Sequence, residues 1–223
     1  MKNEGKCGKI GDMKSKICYV YGAGEHFSPP PLPLPGDFVI AADGGYDFLK
    51  GHGITPDLAV GDFDSCQAPP VNVKTILLPC EKDCTDTAEA LRIGFERDFR
   101  IFHIYGGTGG RIEHTFANVQ CLADLAAKGA QGFLFDRDNV ITAIKNRKIA
   151  FDANAAGYVS VFAHSDTASG ICEKGLKYPL DDAVLHNTNP LGISNEFIGE
   201  ASSISVGAGT IIVVYPINCN ISL

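Results

Sequence analysis

Short apolar runs alternate with segments of helical period from Ile17 to about Asp136, the pattern of parallel strands covered by helices. The predicted strands are Ile17–Tyr21, Phe38–Ala42, Leu58–Gly61, Val73–Leu78, Ile101–Tyr105 and Phe133–Phe135. Each is followed by Gly, Asp or Pro, and in open α/β sheets ligands bind just beyond the carboxyl ends of the strands. Two helices are predicted. One starts after Thr85, with Ala88, Leu91 and Phe95 on a stripe; the other starts after Arg111, with Ile112, Phe116, Val119, Leu122 and Ala126 on another. Helix N-termini expose backbone N–H groups and favour anions, so both starts suit a phosphate neighbour.

After about Asn139 the texture changes to β-rich runs punctuated by Gly, Asn and Pro: Ile141–Ile144, Tyr158–Ala163, Ile204–Val206 and Thr210–Tyr215. No helical stripe is visible there, and a small antiparallel sandwich or barrel is expected. The fold class is therefore α/β: an N-terminal doubly wound α/β domain over residues 1–139 and a smaller C-terminal all-β sandwich domain over 140–223, joined with little or no linker. The Pro-rich stretch Pro29–Pro35 reads as a stiff surface loop between two strands. No internal repeat is visible.

Composition narrows the function classes. With 223 residues, 45% hydrophobic and 20% charged, the chain is an ordinary globular protein. A net charge of -7 argues against a general nucleic-acid binder. Apolar stretches such as Ile211–Tyr215 fall far below the roughly 20 residues that span a bilayer, so no membrane partner is expected. Met1–Lys16 is polar and lysine-bearing and does not read as a secretory signal, which places the protein in the cytoplasm. The eight cysteines are scattered and read as free thiols; Cys80 and Cys84 lack a second ligand pair, which rejects structural zinc.

Four polar motifs carry candidate chemistry. In Ala42-Asp43-Gly44-Gly45 a buried strand stops at a carboxylate, and the two glycines admit a close ligand. In Gly61-Asp62-Phe63-Asp64-Ser65 an extended backbone would point Asp62 and Asp64 to the same side. Converging carboxylates repel unless a cation lies between them, which suggests a hard ion such as Mg2+. Glu81-Lys82-Asp83-Cys84-Thr85-Asp86 opens the first helix: Thr85 or Asp83 suits its cap, Asp86 suits the metal, and Lys82 suits a phosphate. Gly106-Gly107-Thr108-Gly109-Gly110-Arg111 offers a nest of backbone N–H groups and a forked cation, without the ending of a Walker loop. His114 follows, its role open between structural hydrogen bonding and chemistry.

In this order and spacing, the motifs resemble the thiamine pyrophosphokinase family. Gly175-Leu176-Lys177-Tyr178-Pro179-Leu180 and Ile193-Ser194-Asn195-Glu196 resemble its C-terminal domain, so the resemblance spans nearly the whole chain. It implies transfer of a pyrophosphoryl group from ATP to the hydroxyethyl oxygen of thiamine, with attack on the β-phosphorus, giving thiamine diphosphate and AMP. It also implies an α/β domain, a β-sandwich and a homodimer whose active sites draw on both subunits.

By position Asp62, Asp64 and Asp86 match the magnesium carboxylates. Asp43, Gly44, Gly45, Lys82, Asp83, Thr85, Gly109, Gly110, Arg111 and His114 match the nucleotide and phosphate region. Ser194 and Asn195 match a thiamine-side segment, while Tyr178 fits either an aromatic contact or a core residue. Glu113 and Cys84 depart from the family's usual Asp and its usual acidic or polar residue. Asp83 and Asp86 are both candidates to take the thiamine proton. A magnesium-dependent hydrolase and a binding sensor without turnover are the alternatives.

Overall fold

This computed structural model describes residues 16–63, 66, 70–79 and 83–223, and in it the apolar runs of the first half form one parallel array. β1 (Ile17–Tyr21), β2 (Phe38–Ala42), β3 (Leu58–Gly61), β4 (Thr75–Leu77), β5 (Ile101–Tyr105) and β6 (Gln131–Phe135) lie in the order β6-β5-β1-β2-β3-β4. Alternate residues of the central strands face opposite ways, as the pleat requires. Cys18, Val20, Ile40, Leu58, Phe102 and Ile104 pack against α2 (Asp86–Glu96) and α3 (Ile112–Ala127). Tyr19, Tyr21, Val39 and Ala41 pack against Tyr46 and Leu49 of α1 (Gly45–Gly51). α1 has no counterpart in the sequence reading, because seven residues bounded by glycine give too short a stripe.

The sheet does not stop where the helices stop. β7 (Asn139–Lys145) folds back antiparallel on β6, and β14 (Thr210–Pro216), β9 (Tyr158–Ala163) and β12 (Gly192–Glu196) follow, making ten strands among the described residues. Position 139/140 thus falls at the first residues of β7. A second, five-stranded sheet runs β11 (Leu180–His186), β10 (Thr167–Lys174), β13 (Ser202–Ser205), β8 (Lys148–Phe151), β15 (Ile221–Ser222). It packs on the antiparallel half of the first through Ile144, Ile149, Phe151, Val161, Ile171, Ile204 and Val213. β8, β10, β11, β12 and β15 escaped the sequence pattern: β8 and β15 are too short to show a period, and solvent-facing polar residues interrupt the others, as in Leu180–His186.

At the parallel-to-antiparallel junction the buried Gln131 amide donates to Thr142 Oγ1 (2.5 Å) and to the Ala143 carbonyl (3.1 Å). Thr142 in turn donates to the Gly132 carbonyl at 2.7 Å, so the polar groups are satisfied within the core. α3 spans the junction, touching β6, β7 and β14. Its stripe differs from the expectation. Asn118, Leu122, Ala123 and Leu125 are buried, whereas Ile112 and Phe116 stand 66% and 67% exposed. The first turns of α3 overhang the strand ends and find no core beneath them.

His103 on β5 lies among Tyr19, Phe133 and Phe135. Burial pushes its imidazole down to about 4, against a smaller opposing pull from Asp37. The unfolded chain therefore takes up this proton first, and stability falls as the pH drops from the ordinary 6.5 towards 4. His103→Phe should flatten this loss by up to about 1.4 kcal/mol per pH unit, read from urea midpoints across that window.

Candidate active site

The sheet order reverses at β1: the chain steps outward through β2, β3 and β4, then returns to β5 on β1's other side. At such a switch point adjacent loops part and leave a crevice. Here the two loops touch before they part. Gly22 N–H donates to the Tyr105 carbonyl (2.8 Å), Gly24 N–H to Gly106 (2.8 Å) and Glu25 N–H to Thr108 (3.0 Å). A Cβ on Gly24 would sit 2.5 Å from the Thr108 carbonyl oxygen and 2.6 Å from that of Gly106, so no larger residue fits.

The crevice opens into a cavity of about 590 Å³. Its walls include Gly24, Asp43, Asp62, Thr85, Asp86, Thr87, Gly106, Gly107, Thr108, Gly110, Arg111, His114 and Asn118. Four strand ends and two helix starts contribute. Asp43 caps β2 in a left-handed conformation (φ +48°), one that Asp tolerates, and its carbonyl accepts the Tyr46 N–H that starts α1. Thr85 caps α2 by accepting the Ala88 N–H at 3.1 Å. Arg111 precedes α3, its guanidinium donating to Glu113 at 2.6 Å. That pair is exposed, and the Glu113 carboxyl is held below its ordinary range by its own backbone N–H and by Arg111. Exposed pairs are weak, so Arg111 can exchange Glu113 for a phosphate at little cost.

Other expected residues lie elsewhere. Gly44 packs near Ala23, and a Cβ on Gly45 would collide with the Tyr21 carbonyl oxygen at 2.0 Å, which gives Gly45 a packing reason. Gly109 (φ +78°) turns the loop against Glu25. Asp83 lines an adjoining groove with Cys84, Gln120 and Cys121. Ser194 and Asn195 are on β12, at the far edge of the sheet. Asp64 and Lys82 lie outside the described residues. The extended backbone that would align Asp62 with Asp64 is absent at Phe63, whose φ is +59°.

The structure adds residues that motif reading passed over. Asn118 donates from its buried amide to the Gly107 carbonyl at 2.8 Å, and Thr108 donates to Asp136 at 2.7 Å, so the glycine-rich loop is tied to α3 and to the end of β6. His26 bonds the Gly22 carbonyl at 3.0 Å and stacks on Phe48, and burial pushes its imidazole below the ordinary range. Asn118 sits on α3 between Phe116 and Val119, where a polar residue on a buried face was the available signal.

Asp43, Asp62 and Asp86 bring three carboxylates to the walls of one cavity, and their oxygen chemistry, though not yet their spacing, suits a hard divalent cation. Among the described residues no three His, Cys, Asp or Glu side chains are gathered closely enough to hold a metal by themselves.

A crevice at the switch point, walled by carboxylates, glycines and an arginine, defines an α/β protein with a ligand site beyond its strand ends. Comparison with known proteins specifies it. The profile described as "Thiamin pyrophosphokinase, catalytic domain" matches residues 35–134, and "Thiamin pyrophosphokinase, vitamin B1 binding domain" matches residues 146–211. Thiamine pyrophosphokinase of Bacillus subtilis (strain 168) is 32% identical over 187 residues, covering 78% of this chain and 85% of that protein. Among solved structures, a thiamine pyrophosphokinase from Bacillus subtilis superposes with a TM-score of 0.79 at 28% identity, covering 91% of this chain and 100% of that one. One from Geobacillus thermodenitrificans gives 0.77 at 30%, covering 91% and 98%. The chain belongs to the thiamine pyrophosphokinase family and is an enzyme.

Asn118→Ala removes the amide and strands the Gly107 carbonyl. Titration calorimetry should show ATP bound about tenfold more weakly, within the roughly 1–3 kcal/mol that an unsatisfied buried acceptor costs.

Proposed function

We propose that the crevice binds ATP with its triphosphate along the glycine-rich loop, and that a thiamine hydroxyl attacks the β-phosphorus to give thiamine diphosphate and AMP. The observation that carries this reading is the convergence of Asp43, Asp62 and Asp86 with the Gly106–Arg111 loop in one cavity. Backbone N–H groups of the loop and the α3 start would hold phosphate oxygens, and Arg111, released from Glu113, would balance the charge that builds up in transfer. Mg2+, held by Asp62, Asp64 and Asp86, would neutralise triphosphate oxygens. Asp83 faces the adjoining groove, which supports a place at the rim rather than in proton transfer. We place the enzyme in the cytoplasm, where thiols such as those of Cys18, Cys84 and Cys121 persist.

The acceptor side requires a second copy. Ser194 sits on β12, five strands away from β5, and at ~4.8 Å per strand this is about 24 Å from the phosphate loop, beyond the reach of a single thiamine. Two exposed apolar surfaces support a homodimer: Ile112 and Phe116 beside the cavity, and Tyr158, Tyr178, Leu191 and Ile193 around Ser194. A two-fold axis would set each against the other twice.

With thiamine, ATP and Mg2+, AMP and thiamine diphosphate should form in equal amounts, and chelation should stop both. AMP alone would mean hydrolysis; binding without either product would mean a sensor. Asp62→Asn and Asp86→Asn should each lower kcat by about 100-fold or more without loss of the fold. Co-expressing Asp86→Asn with Ser194→Arg should restore about a quarter of wild-type activity, because only mixed dimers regain one intact site. Absence of recovery would place the acceptor site within one chain.

A further inference from the structure

The sandwich holds a carboxyl that packing alone does not explain. Glu173 on β10 is 1% exposed, between the two sheets, and burial pushes its carboxyl up from the ordinary range. Its Oε2 accepts from Asn195 Nδ2 at 2.6 Å, while Oε1 has no hydrogen-bond partner among the described residues. An apolar side chain of similar volume would be cheaper to bury here.

What the carboxyl touches is a clamp. Asn195, itself buried, donates to the Tyr178 carbonyl (2.8 Å) and accepts from the N–H groups of Tyr178 (3.0 Å) and Glu196 (2.9 Å). Among the described residues its side-chain contacts are with this chain, which makes it a brace for the segment around it. The residue before it, Ser194, is held at φ +58°, where a serine is strained, with its N–H on Ser160 Oγ at 3.0 Å. The register shift between Gly192 and Asn195 pushes Ile193 and Ser194 out of the ladder.

We propose that Glu173 is a positioning residue for the acceptor: through Asn195 it fixes the strained Ser194 and the Tyr178 backbone in the pose that receives thiamine. This rests on the reading of Ser194 as a thiamine-side residue. Without the Glu173 acceptor, the Asn195 amide keeps one acceptor instead of two, turns more freely, and Ser194 relaxes.

The test is steady-state kinetics on the full chain, varying thiamine and ATP separately. Glu173→Leu should raise the thiamine KM about tenfold and change the ATP KM less than about twofold. Glu173→Gln, which still presents an oxygen to Asn195, should return the thiamine KM to within about twofold of wild type. If Glu173→Leu does not fold, Glu173→Asp, whose carboxyl is withdrawn by one methylene, should give the same split. An unchanged thiamine KM in the folded variant, a rise in both KM values together, or a Gln variant as impaired as Leu would overturn the proposal. Ser194→Ala separates the two levels. If it leaves the thiamine KM unchanged, the thiamine-side reading fails and the proposal with it; if it raises that KM while the Glu173 variants do not, only the positioning role fails.

Discussion

Everything at the site depends on two backbones meeting at the centre of the sheet. The loop after β1 donates main-chain hydrogen bonds to carbonyls at the end of β5 and in the loop after it, across Gly22, Gly24 and Gly106, at separations that a single methyl group would break. This contact sets where the loops diverge, and so where the crevice begins. The neighbouring groups are arranged around it: Thr87 lies beside Gly22, His26 packs behind Gly106, and Asn118 and Asp136 hold the loop on the outer side. Few of these residues need touch a ligand. Their work is to hold main-chain donors still, so that little reorganisation is required when charge arrives.

Electrostatics then tune a frame already built. A chain of net charge -7 gathers carboxylates at strand ends, where they repel each other and any phosphate, unless a cation intervenes. Arg111 is the counterweight on the other wall. Its partnership with Glu113 keeps it near the cavity while leaving it exchangeable, because the pair is solvated on both sides. Glu113 thus holds the arginine from the solvent side.

The sequence made the strand ends legible because each buried run finishes on a residue that breaks the pattern, and the acidic motifs sit at those breaks. Thr85 could be read as a cap from its place before a helical stripe. Other features are not encoded locally. Whether Ile112 and Phe116 are core or surface depends on how far α3 overhangs the sheet, which no periodicity reports. Phe63 adopts a left-handed turn that an aromatic residue does not advertise, and the part played by Asn118 or Glu173 appears only when a distant strand or loop is brought beside it. Continuity of the large sheet across β6 and β7 was hidden for the same reason: the change from parallel to antiparallel pairing is a fact about neighbours, not about composition.

That continuity bears on how such a chain can change over evolutionary time. Two segments that fold as separate beads can be exchanged like cassettes, since nothing but a tether joins them. Here β6 and β7 share hydrogen bonds, a buried Gln131–Thr142 knot and the underside of one helix. A graft from a relative would have to match strand register to the residue, because a slip of one turns every side chain of β7 to the wrong face. The halves are bound to drift together, and innovation is confined to the loops at the sheet's rim.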